Sequence, residues 1–243
     1  MTAYKSSIQM TARIAAILTL LIVLLAPFSM LYIPTTLVEP GNAAMTANNI
    51  MTSQGLFRAG MVSDSIVFLI EIVLTVLLYV LVKPVDKTLS LAAAFSRLAM
   101  TVIQGINLLN HFIVLLLLSG AGYLTVFAPD QVHAFVLLFV NAHESVTLIW
   151  GLFFGLHLLV FSYLVYKSGY LPKFLGIILF FVALCYFIQD FGTMLLPQYK
   201  TLFTSIGSLA FLEIAFPLWL LIKGVNVEQW NKHVAESAYS IAR

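Results

Sequence analysis

Charge is what this sequence has least of. Only 9% of its 243 residues are Asp, Glu, Lys or Arg, while 61% are hydrophobic. A soluble domain carries about 25% charged residues, so a water-soluble fold is excluded. The net charge is a weak +2 and the basic residues are scattered, which argues against nucleic acid as a partner. Cysteine is nearly absent. Cys185 stands alone in an apolar run, so there is neither a disulfide framework nor a thiolate metal site, and it reads as a packing residue. The chain also lacks a G-x-S-x-G elbow, a phosphate-binding loop and an H-E-x-x-H pair. It shows no heptads, no low-complexity tract and no internal repeat, which leaves an inverted-repeat transporter without support.

Long apolar runs are what remains. A bilayer core takes about 20 helical residues, and six stretches qualify, near 13–33, 57–82, 89–119, 141–166, 172–196 and 202–222. The fold class expected is all-α, a polytopic transmembrane bundle. The breaks carry turn chemistry: Lys83-Pro84-Val85-Asp86, Gly120-Ala121-Gly122, Lys167-Ser168-Gly169 and Pro197-Gln198. The first run follows Lys5 and Arg13. It is longer than a signal-peptide core of about 7–15 residues, so it reads as an uncleaved span.

Inner segments would hold Lys5, Arg13, Lys83, Lys87, Lys167, Lys173, Lys223, Lys232 and Arg243, against Arg58 and Lys200 outside. That positive-inside bias places both termini in the cytoplasm. The domain reading is a six-helix unit over 1–224 and a polar cytoplasmic tail over 225–243. Two stretches are harder to place. Residues 43–53 could form a short surface helix. A single helix from Asp130 to Tyr166 would be about 55 Å long, so a bend or an interfacial segment is expected there.

Ionisable residues inside the runs carry the functional signal, because a charge in hydrocarbon is costly unless paired or wetted. Asp64, Asn107, Asn110, His111, His143, Glu144, Gln189 and Asp190 fall at similar depth on four helices. Facing inward, they would line a pocket opening to the outside. Asn107, Asn110 and His111 share one helix face at i, i+3 and i+4. A second group, Glu71, Arg97 and Glu213, lies near the midplane. Arg97 there needs Glu71 or Glu213 as a partner. No lysine sits mid-span to hold retinal. His157 stands apart, after a Gly151-x-x-x-Gly155 spacing that admits a close helix.

Several functions fit these residues. The favoured one is a pocket that binds a small ligand or a membrane-protein partner. An alternative is an intramembrane, metal-dependent lipid hydrolase, with zinc held by His111, His143, Asp190 and one of Asp64 or Glu144. A small-molecule or proton-coupled transporter is a further alternative, and a haem with His111 and His143 as axial ligands another. Interhelical hydrogen bonding is the plain competitor to all of them. Phe180, Phe181, Tyr186 and Phe187 read as lipid-facing or packing residues, and Trp219 and Trp230 as an interfacial belt.

Four stretches carry a resemblance: Ala12-Arg13-Ile14-Ala15-Ala16-Ile17-Leu18; Glu39-Pro40-Gly41-Asn42-Ala43-Ala44 leading into Leu56-Phe57-Arg58; Leu81-Val82-Lys83-Pro84-Val85; and Phe154-Gly155-Leu156-His157 through Ser168-Gly169-Tyr170-Leu171-Pro172-Lys173-Phe174-Leu175-Gly176. Together they resemble the multipass family called domain of unknown function 4386. The resemblance implies a helical bundle in a bacterial cytoplasmic (inner) membrane, with the lipid bilayer as its surroundings. It carries no catalytic residue. Arg58, Asp64, His157 and Asp190 fall in its segments.

Overall fold

The computed structural model describes residues 2–241, with side chains described for 7–236. Among the described residues every regular element is helical. Six helical stretches are long and apolar enough to cross a membrane: Ser7–Leu37, Gln54–Val82, Lys87–Leu117, Pro129–Lys167, Lys173–Leu195 and Pro197–Ile222. The protein is therefore an all-α, multipass membrane protein. Large apolar side chains such as Leu69, Phe95 and Ile106 stay exposed on these helices, the surface that lipid tails cover.

Prolines and caps set the boundaries. α1 (Thr2–Pro27) ends on Pro27 and gives way to a wide π turn, Phe28–Tyr32, before α2 (Ile33–Leu37). A proline lacks the N–H and crowds the carbonyl four residues back; for Pro34 that is the Met30 carbonyl, inside the turn, and a wider turn relieves the clash. Ser29 donates its hydroxyl to the Ala26 carbonyl at 3.2 Å. α3 (Ala43–Thr52) starts where the Asn42 side chain accepts from Met45 N. It is amphipathic, with Thr46, Ala47 and Ile50 wholly buried and Met45 and Met51 exposed.

α4 (Gln54–Val82) and α5 (Lys87–Leu117) follow, the latter capped by Asp86 Oδ1 accepting from Leu89 N. α6 (Pro129–Lys167) is one continuous 39-residue helix, longer by three turns than the stretch from residue 141 suggested. Its start is chemical rather than apolar: Pro129 occupies the first helical position, and Gln131 reaches back to accept from Ala128 N at 2.9 Å. α7 (Lys173–Leu195) follows an extended Pro172. The sixth span is not uniformly α-helical. α8 (Lys200–Gly207) passes through a 3-10 segment, Ser208–Ile214, into α9 (Ala215–Ile222). Pro217, which crowds the carbonyl of residue 213, accounts for the loosened turn. α10 (Val227–Ile241) comes after a left-handed Gly224.

The chain divides into two compact units. The first comprises the chain up to Leu21, Ile70–Met100 and the chain from Leu148; the second comprises Ile22–Leu69 and Thr101–Thr147. In the second, Ile33, Ala47, Ile50, Phe57, Leu108 and Val136 pack into one core. In the first, Ala12, Ala15 and Ala16 bury a small-residue face of α1. There α6 and α7 touch backbone to backbone. A methyl group on Gly176 would stand 2.7 Å from the Ser162 carbonyl and 2.8 Å from Tyr166 N.

The last carbonyls of a helix have no partner within it. At the end of α4, Leu81 O is met by two buried donors, the Tyr170 hydroxyl at 2.8 Å and Trp230 Nε1 at 3.2 Å. Asn226 N donates to Tyr170 O, and Gln9 bonds both Lys223 O and Val225 N. Trp230 is thus a buried, hydrogen-bonded anchor for α10 rather than a belt residue.

Candidate functional site

In the second unit, α4, α5 and α6 each bring one side chain to a common point. Asp64 is buried, His111 and His143 are half-buried, and one ligand atom of each lies within 4.8 Å of the other two. The two imidazoles stack at 3.8 Å between centroids, and the Phe57 ring meets His111 edge-on at 5.0 Å. The Ser29 hydroxyl, presented by the π turn, lies beside the Asp64 carboxyl.

A hydrogen-bond lattice orients this group. His143 Nδ1 faces the Asn107 carbonyl at 3.3 Å. A carbonyl only accepts, so Nδ1 carries the proton and Nε2 keeps its lone pair. Asn107 returns a bond from Nδ2 to His143 O at 2.9 Å. Asn110 Nδ2 donates to Asn107 Oδ1, and Asn107 Nδ2 is 3.3 Å from Gln104 Oε1. Glu144 is exposed. In this arrangement the stacked rings leave no space for a porphyrin between them.

Asp190 and Gln189 belong to the first unit. Asp190 is 1% exposed, accepts from Gln189 Nε2 at 3.2 Å, and packs against Gly151 of α6. One turn earlier on α7, Phe187 packs on Gly155. The two glycines thus form the face on which α7 lies. Arg97 Nη2 stands 2.7 Å from Glu71 Oε2, with both side chains below 10% exposed. The Arg97 guanidinium also lies 5.5 Å from the Phe154 ring centroid. Glu213 is within electrostatic reach of both. His157 donates Nδ1–H to the Ala93 carbonyl at 2.9 Å and is stacked between Phe154 and Phe161.

The family described as domain of unknown function (DUF4386) matches residues 14–224, most of the chain. The chain belongs to that family. An uncharacterized protein of Archaeoglobus fulgidus is 28% identical over 165 residues, 68% of this chain and 83% of that protein. No solved structure matches the chain.

Two residues of this DUF4386 chain escaped the sequence reading. Gln104 extends the Asn107–Asn110 face by another three residues, and that spacing was the available signal. Tyr186 read as packing, yet it lies within electrostatic reach of Glu213, Asp190, Arg97 and Glu71. Its ring meets Phe154 and Trp150 edge-on at 5.0 and 6.1 Å. Its signal was the i, i+3, i+4 spacing with Gln189 and Asp190. Phe180 and Phe181, by contrast, are exposed.

Proposed function

We propose that this protein holds a divalent transition-metal ion on Asp64, His111 and His143, and that the ion makes it an intramembrane hydrolase. The observation that carries this reading is the mutual approach of three ligand atoms to within 4.8 Å from three separate helices. Two imidazoles and a carboxylate are a donor set that zinc takes in hydrolytic centres, where three protein ligands leave the fourth position open. Donors around tetrahedral zinc lie about 3.4 Å apart, so side-chain rotation of roughly an ångström closes the site. His111 must tilt out of its stack with His143 to do so. The Asn107 carbonyl behaves as the outer partner that metal-bound histidines commonly have, holding His143 with Nε2 presented. Of the ligands weighed from sequence, this set keeps His111, His143 and Asp64 and leaves out Asp190 and Glu144.

A cytoplasmic membrane, with both termini inside, is the setting we infer from the excess of lysine and arginine on one set of loops. Bonds in lipids are the substrates that reach a centre between membrane helices most directly.

Elemental mass spectrometry on the detergent-purified full chain, loaded with excess zinc and then dialysed, tests the site. Near-stoichiometric zinc is expected in the parent and a loss of most of it in His111→Ala and His143→Ala, with helical circular dichroism unchanged. A parent that retains no zinc, or variants that retain all of it, would overturn the proposal. Lipid-ester hydrolysis that depends on the same residues then separates a catalytic ion from a structural one.

A further inference from the structure

The first unit has a second feature that the metal does not use. An open groove of about 700 Å³ runs along α6 and α7, lined by Leu159, Tyr163, Tyr166, Ile177 and Phe180, with Leu89 of α5 beside them. Gly176 lies in its floor, where the two helix backbones touch. Its walls are almost entirely apolar, and they belong to spans, so an acyl chain rather than water is the natural occupant.

The charges at one end say which lipid. Tyr163 and Tyr166 are in the last turns of α6, Ile177 near the start of α7, and Leu89 in the first turn of α5. At that end Lys167 Nζ lies 5.9 Å from the Tyr163 ring centroid and Lys173 Nζ lies 5.4 Å from the Tyr166 ring centroid. Among the described residues neither ammonium has a carboxylate within 4.0 Å. Lys173 also opens α7, so its charge adds to the positive end of the helix dipole. The acid of the neighbouring turn, Asp86, is engaged in capping α5 through Leu89 N. Two cations on tyrosines at the mouth of an apolar groove complement a phosphate head on an acyl chain.

We infer that this groove is a site for an anionic phospholipid, its acyl chain along Tyr163, Ile177 and Phe180 and its phosphate between Lys167 and Lys173. The inference does not rest on the metal.

Native mass spectrometry of the full chain, titrated with phosphatidylglycerol and with phosphatidylcholine of the same acyl chains, tests it. The parent is expected to retain phosphatidylglycerol preferentially. Lys167→Gln with Lys173→Gln should reduce that preference roughly tenfold or more, since each basic residue near an anionic lipid surface contributes appreciably. Ile177→Trp, at a residue already 47% exposed, should lower retention of both lipids by filling the groove. Lys200→Gln, beyond the opposite end of α7, should leave the preference intact, and zinc content should be the same in all three. Equal retention of the two lipids by the parent overturns the inference. So does a double variant that keeps the preference, a groove-filled variant that binds as before, or a Lys200 variant that loses it.

Discussion

Replacing Arg97 with methionine strands Glu71. The two side chains are 6% and 9% exposed and 2.7 Å apart, so solvent screening is slight and the loss of one partner leaves the other buried without its counter-charge. Removing one member of a buried pair costs about 3–5 kcal/mol. The guanidinium also stands over Phe154 at 5.5 Å, an interaction of about 0.5–2 kcal/mol. The expected loss for Arg97→Met is therefore roughly 4–6 kcal/mol, a large part of the stability of a domain this size. Replacing both partners behaves differently, because a buried pair exchanged for apolar groups is often neutral or stabilising. Glu71→Leu with Arg97→Met should recover part of the loss, the remainder being the Phe154 contact and the attraction between Arg97 and Glu213. Arg97→Lys should fall between, keeping the charge but not the planar stack. The assay is unfolding of the purified protein in mixed micelles by added dodecyl sulfate, followed by circular dichroism. A single variant within about 1 kcal/mol of the parent, or a double variant whose loss is the sum of the singles, would refute the reasoning.

Other expectations follow from close contacts and caps. Gly176→Ala should lower stability by about 1–3 kcal/mol, because its methyl would meet the backbone of Ser162 and Tyr166; Gly155→Ala, facing the turnable ring of Phe187 at 3.2 Å, should cost less in the same titration. Tyr170→Phe should cost about 1 kcal/mol while Trp230 still serves Leu81 O. With Trp230→Phe added, the double variant should lose more than the sum, since the buried carbonyl is then orphaned. Burial holds the Tyr170 phenol above its ordinary value of 10.0, so the folded state keeps the proton longer and stability falls as pH rises past 10. Melting temperatures measured across that range should fall less steeply in Tyr170→Phe than in the parent.

The spans were legible because a run of apolar residues about 20 long has one stable solution in a bilayer. Their interruptions were less so. Pro34 and Pro217 mark where a helix must loosen, but whether it answers with a π turn, a 3-10 segment or a kink depends on what packs around it. That α6 runs unbroken from Pro129 was one of several readings open in the sequence, because its start is set by Pro129 and the Gln131–Ala128 bond rather than by hydropathy. For the site, depth could be read from position in each run, while helix rotation could not. Asp64 and Asp190 have the same depth signature, and only packing puts Asp64 beside His111 and His143. Arg97 had to find a carboxylate, yet nothing in the spacing chooses between Glu71 and Glu213. Nothing in the sequence separates Tyr186 from Phe180 and Phe181, aromatics of the same run that face outward.

The carbonyl of Leu81 bears on how this chain relates to its family. Family similarity ends at residue 224, so of the two donors that meet that oxygen, Tyr170 lies inside the shared segment and Trp230 outside it. In this chain the matched segment therefore already supplies one donor to the end of α4. What lies beyond the matched segment adds a second lock to a door already shut. A chain shortened to end at Val225 should still fold, at reduced stability, with Tyr170 as its remaining closure.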